Sequence, residues 1–261
     1  MNNLLDKYDI IKELNKGAFG TIFSGKNKIT KEYVAIKVEQ KENSLIKNEA
    51  RIYKYLERNI GIPNLRMYFN DTKYNYLVLD LLGDSLKTIK EIYKHTITKN
   101  IILNISIRLI KILEDIHSMG IVHRDIKPQN ILFDKDNENI YLIDFGLAKK
   151  IIHSTHIKER NISNIIGSPN YISINVHNLI EPTRRDDIIS AIYVLLYLLL
   201  DKLPWKNTTM ETTLDLKREI VNKENIIDNN NSFIVILKYL QKLDFNSKPD
   251  YKYILKELNY L

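Results

Sequence analysis

The sequence predicts an α+β fold in which a small, strand-rich first part is followed by a larger helical part. Runs of β-branched and aromatic residues, bounded by glycine-containing or polar turns, indicate strands in the first part. After Gly83, apolar residues recur mainly at steps of three and four, the period of amphipathic helices. The 261 residues, 44% of them hydrophobic, are enough to bury a core, and no internal repeat or long linker interrupts them.

The first part is predicted to contain four strands and one helix. The strands are predicted at residues 8–14, 21–25, 33–38 and 75–81, and the helix at residues 42–58. The helix is predicted because apolar residues follow its period, namely Leu45, Ile46, Ala50, Tyr53 and Leu56. The segment Gly-Ile-Pro-Asn at residues 61–64 is expected to end it.

The second part is predicted to be mostly helical, with a long helix over residues 99–119. The apolar run 188–200, relieved only by Ser190, is too short to span a bilayer and is typical of a buried helix. Two short strands, at residues 131–133 and 140–143, are predicted on either side of a polar turn. Residues 228–232 are predicted to form a loop.

Composition excludes several classes of protein. Because the chain has no cysteine, disulfide scaffolds, thiolate zinc sites and cysteine nucleophiles are excluded. The first ten residues contain acids and no apolar core, so we expect no signal peptide and an intracellular, non-membrane protein, in the cytoplasm or nucleus. The net charge of +7 fits either a basic face for acidic partners or a compositional bias toward Asn, Ile, Lys and Tyr.

The turn containing Gly17 and Gly20 lies between two predicted strands. Glycines allow the backbone to approach a phosphate closely and to present N–H groups to it. Two glycines are equally typical of a tight hairpin without a ligand, so this turn alone does not decide the function.

Lys37 ends an apolar strand, and Glu49 lies on the helix that follows. A lysine at this place is usually a solvated charge. A strand lysine paired with a helix glutamate could instead hold nucleotide phosphates, if the helix lets the two side chains meet.

The densest cluster of polar residues is HRDIKPQN at 123–130, followed by DFG at 144–146. Phosphoryl transfer requires a carboxylate to accept or orient a hydroxyl proton, oxygen ligands for Mg²⁺, and cations against the phosphate. Asp125 can supply the first, Asn130 and Asp144 the second, and Lys127 the third. Mg²⁺ prefers oxygen ligands and retains waters, so one carboxylate and one amide suffice. The alternative interpretation is a charged loop beside a strand.

The order of these motifs matches the signature set of protein kinases. The sequence resembles a eukaryotic protein kinase over essentially its whole length, and most closely the casein kinase 1 family. The motifs that point to that family lie outside the general kinase set: LLGDSL (81–86), SIN (173–175, where most kinases have Ala-Pro-Glu), RRDD (184–187), LPW (203–205) and KPDY (248–251).

The resemblance implies a single two-lobed kinase domain, with residues 1–82 as N-lobe and hinge, residues 83–261 as C-lobe, and ATP in the cleft between the lobes. By position, the implied ATP-binding residues are the phosphate-covering Asn15, Gly17, Ala18, Phe19 and Gly20, the adenine contacts Ile22 and Ala35, the gatekeeper Leu79, the hinge residues Asp80, Leu81 and Leu82, and the phosphate and metal contacts Lys37 and Asp144. 

The resemblance also implies the catalytic roles. Asp125 would be the base and Lys127 the cation at the γ-phosphate, while Lys37 would pair with Glu49. Asn130 and Asp144 would bind Mg²⁺. Asp187 would anchor the catalytic loop, and Lys127 indicates serine/threonine rather than tyrosine specificity.

The sequence departs from the family at a few positions. Asn15 replaces the first glycine of the usual loop, so we expect altered loop mobility and ATP affinity. His123 replaces the usual tyrosine and is expected to be a packed structural residue. Asn170 stands where an arginine is expected, and residues 206–211 lack other expected basic groups. Since cations there would bind a phosphate, we hypothesise weaker dependence on substrates that are already phosphorylated, that is, primed.

The chain ends about where a catalytic domain would end and has no counterpart of the tail that restrains some family members, so we expect an enzyme that is active without an external switch. We also expect a monomer. Ser154, Thr155, Ser163 and Ser168 could be modified or could be ordinary loop residues. The alternatives are a pseudokinase acting as a scaffold, a related small-molecule phosphotransferase, and a nucleic-acid-binding protein. The retained motif residues argue against a pseudokinase, and the segment from 184 to 190 argues against a small-molecule phosphotransferase. The sequence has no stripe of basic and aromatic residues, which argues against a nucleic-acid-binding protein. The expected partners are proteins with serine or threonine sites.

Overall fold

The computed structural model describes residues 4–17, 20–42, 44–93, 96–151, 159–200, 202–222 and 232–260. The chain forms two compact units. The first contains Met1–Asp84 and Leu132–Gly146, and the second contains Ser85–Ile131 and Leu147–Leu261.

The first unit is built on a five-stranded antiparallel sheet. Its elements are α1 (Leu4–Lys7), β1 (Tyr8–Gly17), β2 (Gly20–Asn27), β3 (Tyr33–Gln40), α2 (Ile46–Tyr55), β4 (Leu65–Asn70) and β5 (Tyr74–Asp80), and the strand order is β1-β2-β3-β5-β4. The predicted strands and helix are therefore present. The sequence analysis missed α1 and β4. In β4, Phe69 stacks on Tyr76 of β5 with ring centroids 4.5 Å apart, a cross-strand contact that single-strand periodicity does not show.

Alternation along β3 directs its side chains to two different faces of the sheet. Val34 and Ile36 are buried in a cluster with Leu4, Tyr8 and Val78. Lys37, one residue further on, points to the opposite face because successive strand side chains alternate. On that face its ammonium meets Glu49, which lies on α2. The alternation of β3 thus separates the apolar core of the sheet from the polar site described below.

A short hairpin after the second unit's long helix belongs with the first unit. It consists of β7 (Ile131–Phe133) and β8 (Ile140–Leu142), and it follows β6 (Ile121–Val122). Hydrogen bonds attach it to the first unit, from Gly83 N to Phe133 O (2.8 Å) and from Leu142 N to Gly61 O (2.8 Å). These bonds explain why residues 132–146 group with the first unit, whereas the sequence analysis places everything after Gly83 in the second.

The second unit contains seven helices in its described part. They are α3 (Leu86–Ile92), α4 (Lys99–Ser118), α5 (Ile174–His177), α6 (Arg184–Leu199), α7 (Met210–Asn222), α8 (Ser232–Gln241) and α9 (Tyr251–Leu258). Two further elements are β9 (Lys149–Lys150), which pairs with β6, and a 3₁₀ turn at Pro128–Asn130. The predicted helix 99–119 corresponds to α4. Of the predicted loop 228–232, residues 228–231 lie outside the described residues.

Helix α6 is the centre of the second unit. The apolar run that the sequence analysis interpreted as a buried helix forms most of it, and residues from Arg185 to Leu196 are all buried. Its first turn is fixed by Asp186, whose carboxylate accepts a hydrogen bond from Thr183 N (2.8 Å). The helix packs against α4 and α8. Among the described helices, none is long and apolar enough to cross a membrane.

Candidate active site

The ammonium of Lys37 lies among three carboxylates of the first unit. Its Nζ donates to Glu49 Oε2 at 2.8 Å and to Asp144 Oδ1 at 2.9 Å, and it lies 3.4 Å from Glu39 Oε1. Glu39 shares a face of β3 with Lys37 because the two are two positions apart, with one residue between them. These four residues are called the Lys37 cluster below. The sequence analysis identified three of them and missed Glu39.

The electrostatics of the Lys37 cluster keep the lysine charged. Burial disfavours the ammonium, but Glu49 and Asp144 outweigh this effect and raise the pKa of Lys37. Burial is also the largest influence on Glu49, whose pKa it raises to about 7 against the lowering effect of Lys37. Glu49 is 1% exposed, whereas Asp144 is 36% exposed. Asp144 is therefore the carboxylate of this cluster that a ligand can reach most easily.

Two further contacts hold the Lys37 cluster in place. Glu39 Oε2 accepts hydrogen bonds from Ser44 Oγ and Leu45 N, both 2.9 Å, where α2 begins. Tyr53, which is buried on α2, accepts a hydrogen bond from Asp144 N at 3.0 Å. Glu39 thereby attaches the start of α2 to β3, and Tyr53 attaches Asp144 to α2. Sequence patterning marked Tyr53 only as an apolar-face residue.

The second polar cluster surrounds Asp125 in the second unit. Lys127 Nζ donates to Asp125 Oδ2 at 2.5 Å, and Ser168 Oγ donates to Asp125 Oδ1 at 2.8 Å. The 3₁₀ turn at Pro128–Asn130 brings Asn130 back, so that its Nδ2 donates to Asp125 O at 2.9 Å. These residues are called the Asp125 cluster. Three of its members were predicted together, and Ser168 was considered only as a modification site.

Asp187, on the first turn of α6, fixes the backbone next to the Asp125 cluster. Its two carboxylate oxygens accept hydrogen bonds from His123 N (2.7 Å) and Arg124 N (2.8 Å). His117 Nε2 lies 2.9 Å from Asp187 Oδ2, and His117 Nδ1 lies 2.6 Å from Tyr251 OH. The hydrogen bonds from His123 N and Arg124 N are the contacts that the resemblance implies for Asp187. The His117 and Tyr251 contacts were not anticipated, because they join helices that are distant in the sequence.

His123 is buried, with no exposed surface, as expected for a packed residue. Its Nδ1 accepts a hydrogen bond from Asp125 N at 3.3 Å. Arg124 has a positive φ of 69°, a conformation that is uncommon for residues other than glycine. The two hydrogen bonds to Asp187 hold the backbone there, so this loop adopts a conformation that its sequence alone does not favour.

A family model described as the protein kinase domain matches residues 8–259. The chain belongs to the protein kinase family. This assignment confirms the predicted α+β fold with an antiparallel-sheet N-lobe and a helical C-lobe. Protein kinases are phosphotransferases with protein substrates, which confirms that part of the predicted function.

The kinase's predicted nucleotide contacts occupy neighbouring strands of the first unit. Asn15 lies opposite Ile22 in the β1–β2 pair, Ile22 lies opposite Lys37 in the β2–β3 pair, and Ala35 lies opposite Leu79 in the β3–β5 pair. The sheet register therefore places the predicted nucleotide contacts on adjoining strands. Ala18 and Phe19 lie outside the described residues.

The two glycines of the β1–β2 turn differ in what the backbone requires. At Gly20, φ is +154° and an added Cβ would lie 2.2 Å from Val38 O, so only glycine fits. At Gly17, an added Cβ would have no atom within 4 Å. Gly20 is thus explained by its close approach to β3, whereas the described residues leave space at Gly17 that a phosphate could approach.

The predicted hinge residues Asp80, Leu81 and Leu82 follow one another at the end of β5. The Asp80 side chain is engaged with its neighbours, since its carboxylate accepts hydrogen bonds from Asn64 N (3.0 Å) and Arg66 Nε (2.5 Å). A cavity of about 490 Å³ is lined by these hinge residues and by loops at 58–62 and 134–136. The predicted adenine contacts Ile22 and Ala35 do not line it.

The residues available for Mg²⁺ match that ion's chemistry. Asn130 uses its amide nitrogen on Asp125, and no hydrogen bond among the described residues uses its amide oxygen. Asp144 supplies a partly exposed carboxylate. The described residues include no group of three or more His, Asp or Glu side chains arranged to hold a metal. Mg²⁺ is usually bound by one or two protein oxygens together with substrate phosphates and waters, so it does not require such a group.

Proposed function

We propose that this kinase transfers the γ-phosphate of ATP to serine and threonine hydroxyls of protein substrates. The observation that carries the proposal is the Asp125 cluster. Asp125 is 7% exposed, and Lys127 and Ser168 donate to its two carboxylate oxygens, so the carboxylate is held as a base that orients a substrate hydroxyl. Lys127, beside this base, supplies a cation for the transferring phosphate and favours serine/threonine specificity.

In this proposal the Lys37 cluster binds the nucleotide phosphates. Lys37 contacts the α- and β-phosphates, and Glu49 keeps its ammonium in position. Asp144 and Asn130 are the proposed Mg²⁺ ligands. When bound, Mg²⁺ neutralises negative charge on the phosphates.

We also propose that the kinase is active without phosphorylation. In regulated kinases, a phosphate on the activation segment orders that segment by pairing with arginine. Here Arg124, adjacent to the base, has its Nη1 3.7 Å from Glu181 Oε1, and Lys149 Nζ donates to the same oxygen. Glu181 is 8% exposed. A carboxylate within the chain thus supplies negative charge to two cations that a phosphate could otherwise bind.

The closest family in this proposal is casein kinase 1. Two of the motifs that carry the resemblance, SIN and RRDD, contact each other, since Asp186 Oδ1 accepts hydrogen bonds from Ser173 Oγ (2.5 Å) and Asn175 Nδ2 (3.1 Å). Ser173 Oγ also accepts from Val176 N where α5 begins. SIN and RRDD therefore form one interlocked structure, which supports treating them as a single signature.

Transfer of labelled phosphate from MgATP to dephosphorylated casein tests the main proposal. We expect the wild-type protein to phosphorylate serine or threonine, and the variants Asp144→Asn and Lys37→Met to lose at least about a hundredfold in activity, because each loses a charge that the reaction uses. A folded wild type that binds ATP without transferring phosphate would contradict the proposal and favour the pseudokinase alternative.

Paired peptides test the proposed substrate preference. One peptide carries a phosphoserine before the target serine and the other carries an unmodified serine there. Because Asn170 replaces an expected arginine and residues 206–211 contain no basic group after Lys206, we expect kcat/KM for the two peptides to agree within about threefold. A preference of tenfold or more for the primed peptide would contradict this expectation.

A further inference from the structure

The segment 167–172 lies directly against the catalytic loop. Ser168 Oγ donates a hydrogen bond to Asp125 Oδ1 at 2.8 Å. Gly167 has φ of +96°, and a Cβ there would lie 2.6 Å from Arg124 O, so the two backbones are in close contact. A protein substrate that presents its hydroxyl to Asp125 would come close to Ser168, so we expect the shape of this segment to affect how such a substrate binds.

Two side chains from elsewhere in the second unit hold the carbonyl groups of this segment. Lys217 Nζ, on α7, donates to Pro169 O and Ile172 O, both at 2.8 Å. Trp205 Nε1 donates to Asn170 O at 2.8 Å. Three of four successive carbonyls, from residue 169 to 172, are therefore held by Lys217 and Trp205.

Lys217 is an unusual residue to find in this position. Its side chain has no exposed surface. Besides the two carbonyls, its Nζ lies 3.1 Å from His177 Nε2 and above the rings of Tyr193 (4.9 Å) and Trp205 (5.3 Å). Within the part of the chain that the structure describes, no carboxylate forms an ion pair with it.

Burying a lysine without a carboxylate partner is unfavourable, and an apolar residue of similar volume often serves a core as well or better. The side chain thus has an energetic cost that packing of α7 does not explain. The Nζ group of Lys217 instead provides N–H donors for two carbonyls beside the catalytic loop. Without it, Pro169 O and Ile172 O would lose these donors.

We propose that Lys217 is a positioning residue for protein substrates, which acts by fixing the backbone of residues 168–172. This proposal rests on the proposed kinase function. It assigns no direct contact between Lys217 and the substrate, since the side chain is fully buried. Substrate binding is affected through the segment, while the nucleotide contacts lie on other elements.

The test compares Lys217→Met with Lys90→Met. Met keeps the length of the side chain and removes the donors. Lys90 is the matched control because it is 6% exposed and its Nζ donates to a carbonyl at 3.0 Å, but it lies on α3 and that carbonyl, Leu198 O, belongs to α6 rather than to residues 167–172. For Lys217→Met we expect the KM for dephosphorylated casein to rise about tenfold, with kcat, the KM for ATP and casein-independent ATP hydrolysis within about twofold of wild type. Lys90→Met should leave all four quantities within about twofold.

An unchanged KM for casein in Lys217→Met, or an equal rise in both variants, would overturn this proposal while leaving the kinase function intact. A wild type without phosphotransfer would overturn the kinase function, and this proposal with it. If Lys217→Met does not fold, Trp205→Phe takes its place, because it removes the donor to Asn170 O and retains an aromatic ring. We then expect a rise in the KM for casein of about threefold or more, and no rise would overturn the proposal.

Discussion

At the scale of single residues, the polar side chains of the kinase motifs were predictable and the residues that hold them were not. Lys37, Glu49, Asp125 and Asn130 belong to short patterns whose chemistry can be deduced from residue type. Glu39 carries no such pattern, and its role depends on the register of β3 and on the start of α2. 

Buried polar residues in the second unit were missed for a similar reason. His117 and Lys217 lie on helices whose sequences show only that a polar residue is present. Their partners, Tyr251 and the carbonyls of residues 169 and 172, are far away in the chain. Such contacts depend on how helices pack, which a single sequence does not specify.

The burial of Lys217 predicts a pH dependence of stability. Burial lowers the pKa of Lys217 to about 6, whereas a lysine in the unfolded chain titrates near 10.4. Between these values the unfolded state binds one proton more than the folded state, so the free energy of unfolding rises with pH by about 1.4 kcal/mol per pH unit from this group. Below pH 6 both states are protonated, and the contribution is constant and least favourable.

Urea unfolding at pH 7, 8 and 9 measures this effect. The free energy of unfolding of wild type minus that of Lys217→Met should increase by about 1.4 kcal/mol per pH unit over this range. Burial lowers the pKa of His177 to about 4, so this neighbour stays neutral in the folded state throughout. A difference that does not vary with pH would show that Lys217 stays protonated in the folded protein.

At the scale of elements, prediction succeeded where one periodicity dominates. Apolar residues of α4 recur at steps of three or four positions, and β3 is a run of β-branched residues between polar turns, so both elements were predicted. Helix α6 was recognised by length, because a run of apolar residues of that size must be buried. 

Elements that depend on contacts with distant residues were predicted less well. β4 is a strand whose side chains alternate only weakly in burial, and it is stabilised by pairing with β5. The predicted helix 42–58 is shorter in the structure, at Ile46–Tyr55. At its start Glu39 accepts the hydrogen bond of Leu45 N, and after its end Arg58 has a positive φ of 73°, which is not helical. The limits of an element thus depend on side chains outside it.

At the scale of the whole molecule, the sequence predicts two parts of different composition, and the structure contains two compact units. The predicted division near Gly83 and the observed units differ in residues 132–146, which join the first unit through backbone hydrogen bonds to Gly61 and Gly83. Backbone pairing of this kind leaves no trace in side-chain patterns. One consequence is that Asp144 is fixed next to Lys37 within one unit, so the Lys37 cluster does not require contributions from the other unit.

The ion pairs of Glu181 determine, in our proposal, whether the whole enzyme needs an activating phosphate. Glu181→Gln removes the negative charge shared by Arg124 and Lys149. Since Arg124 precedes the proposed base, we expect kcat/KM for casein to fall about tenfold, a size typical of coupling between sites. Asp215→Asn is the control, because it removes an exposed ion pair with Arg218 in the same unit, and it should leave kcat/KM within about twofold.

Phosphatase treatment of wild type tests the same proposal from the other side. It should leave kcat/KM for casein unchanged, with the removal of phosphate verified by mass spectrometry. Loss of wild-type activity after that treatment would mean that a phosphate, rather than Glu181, supplies the activating charge.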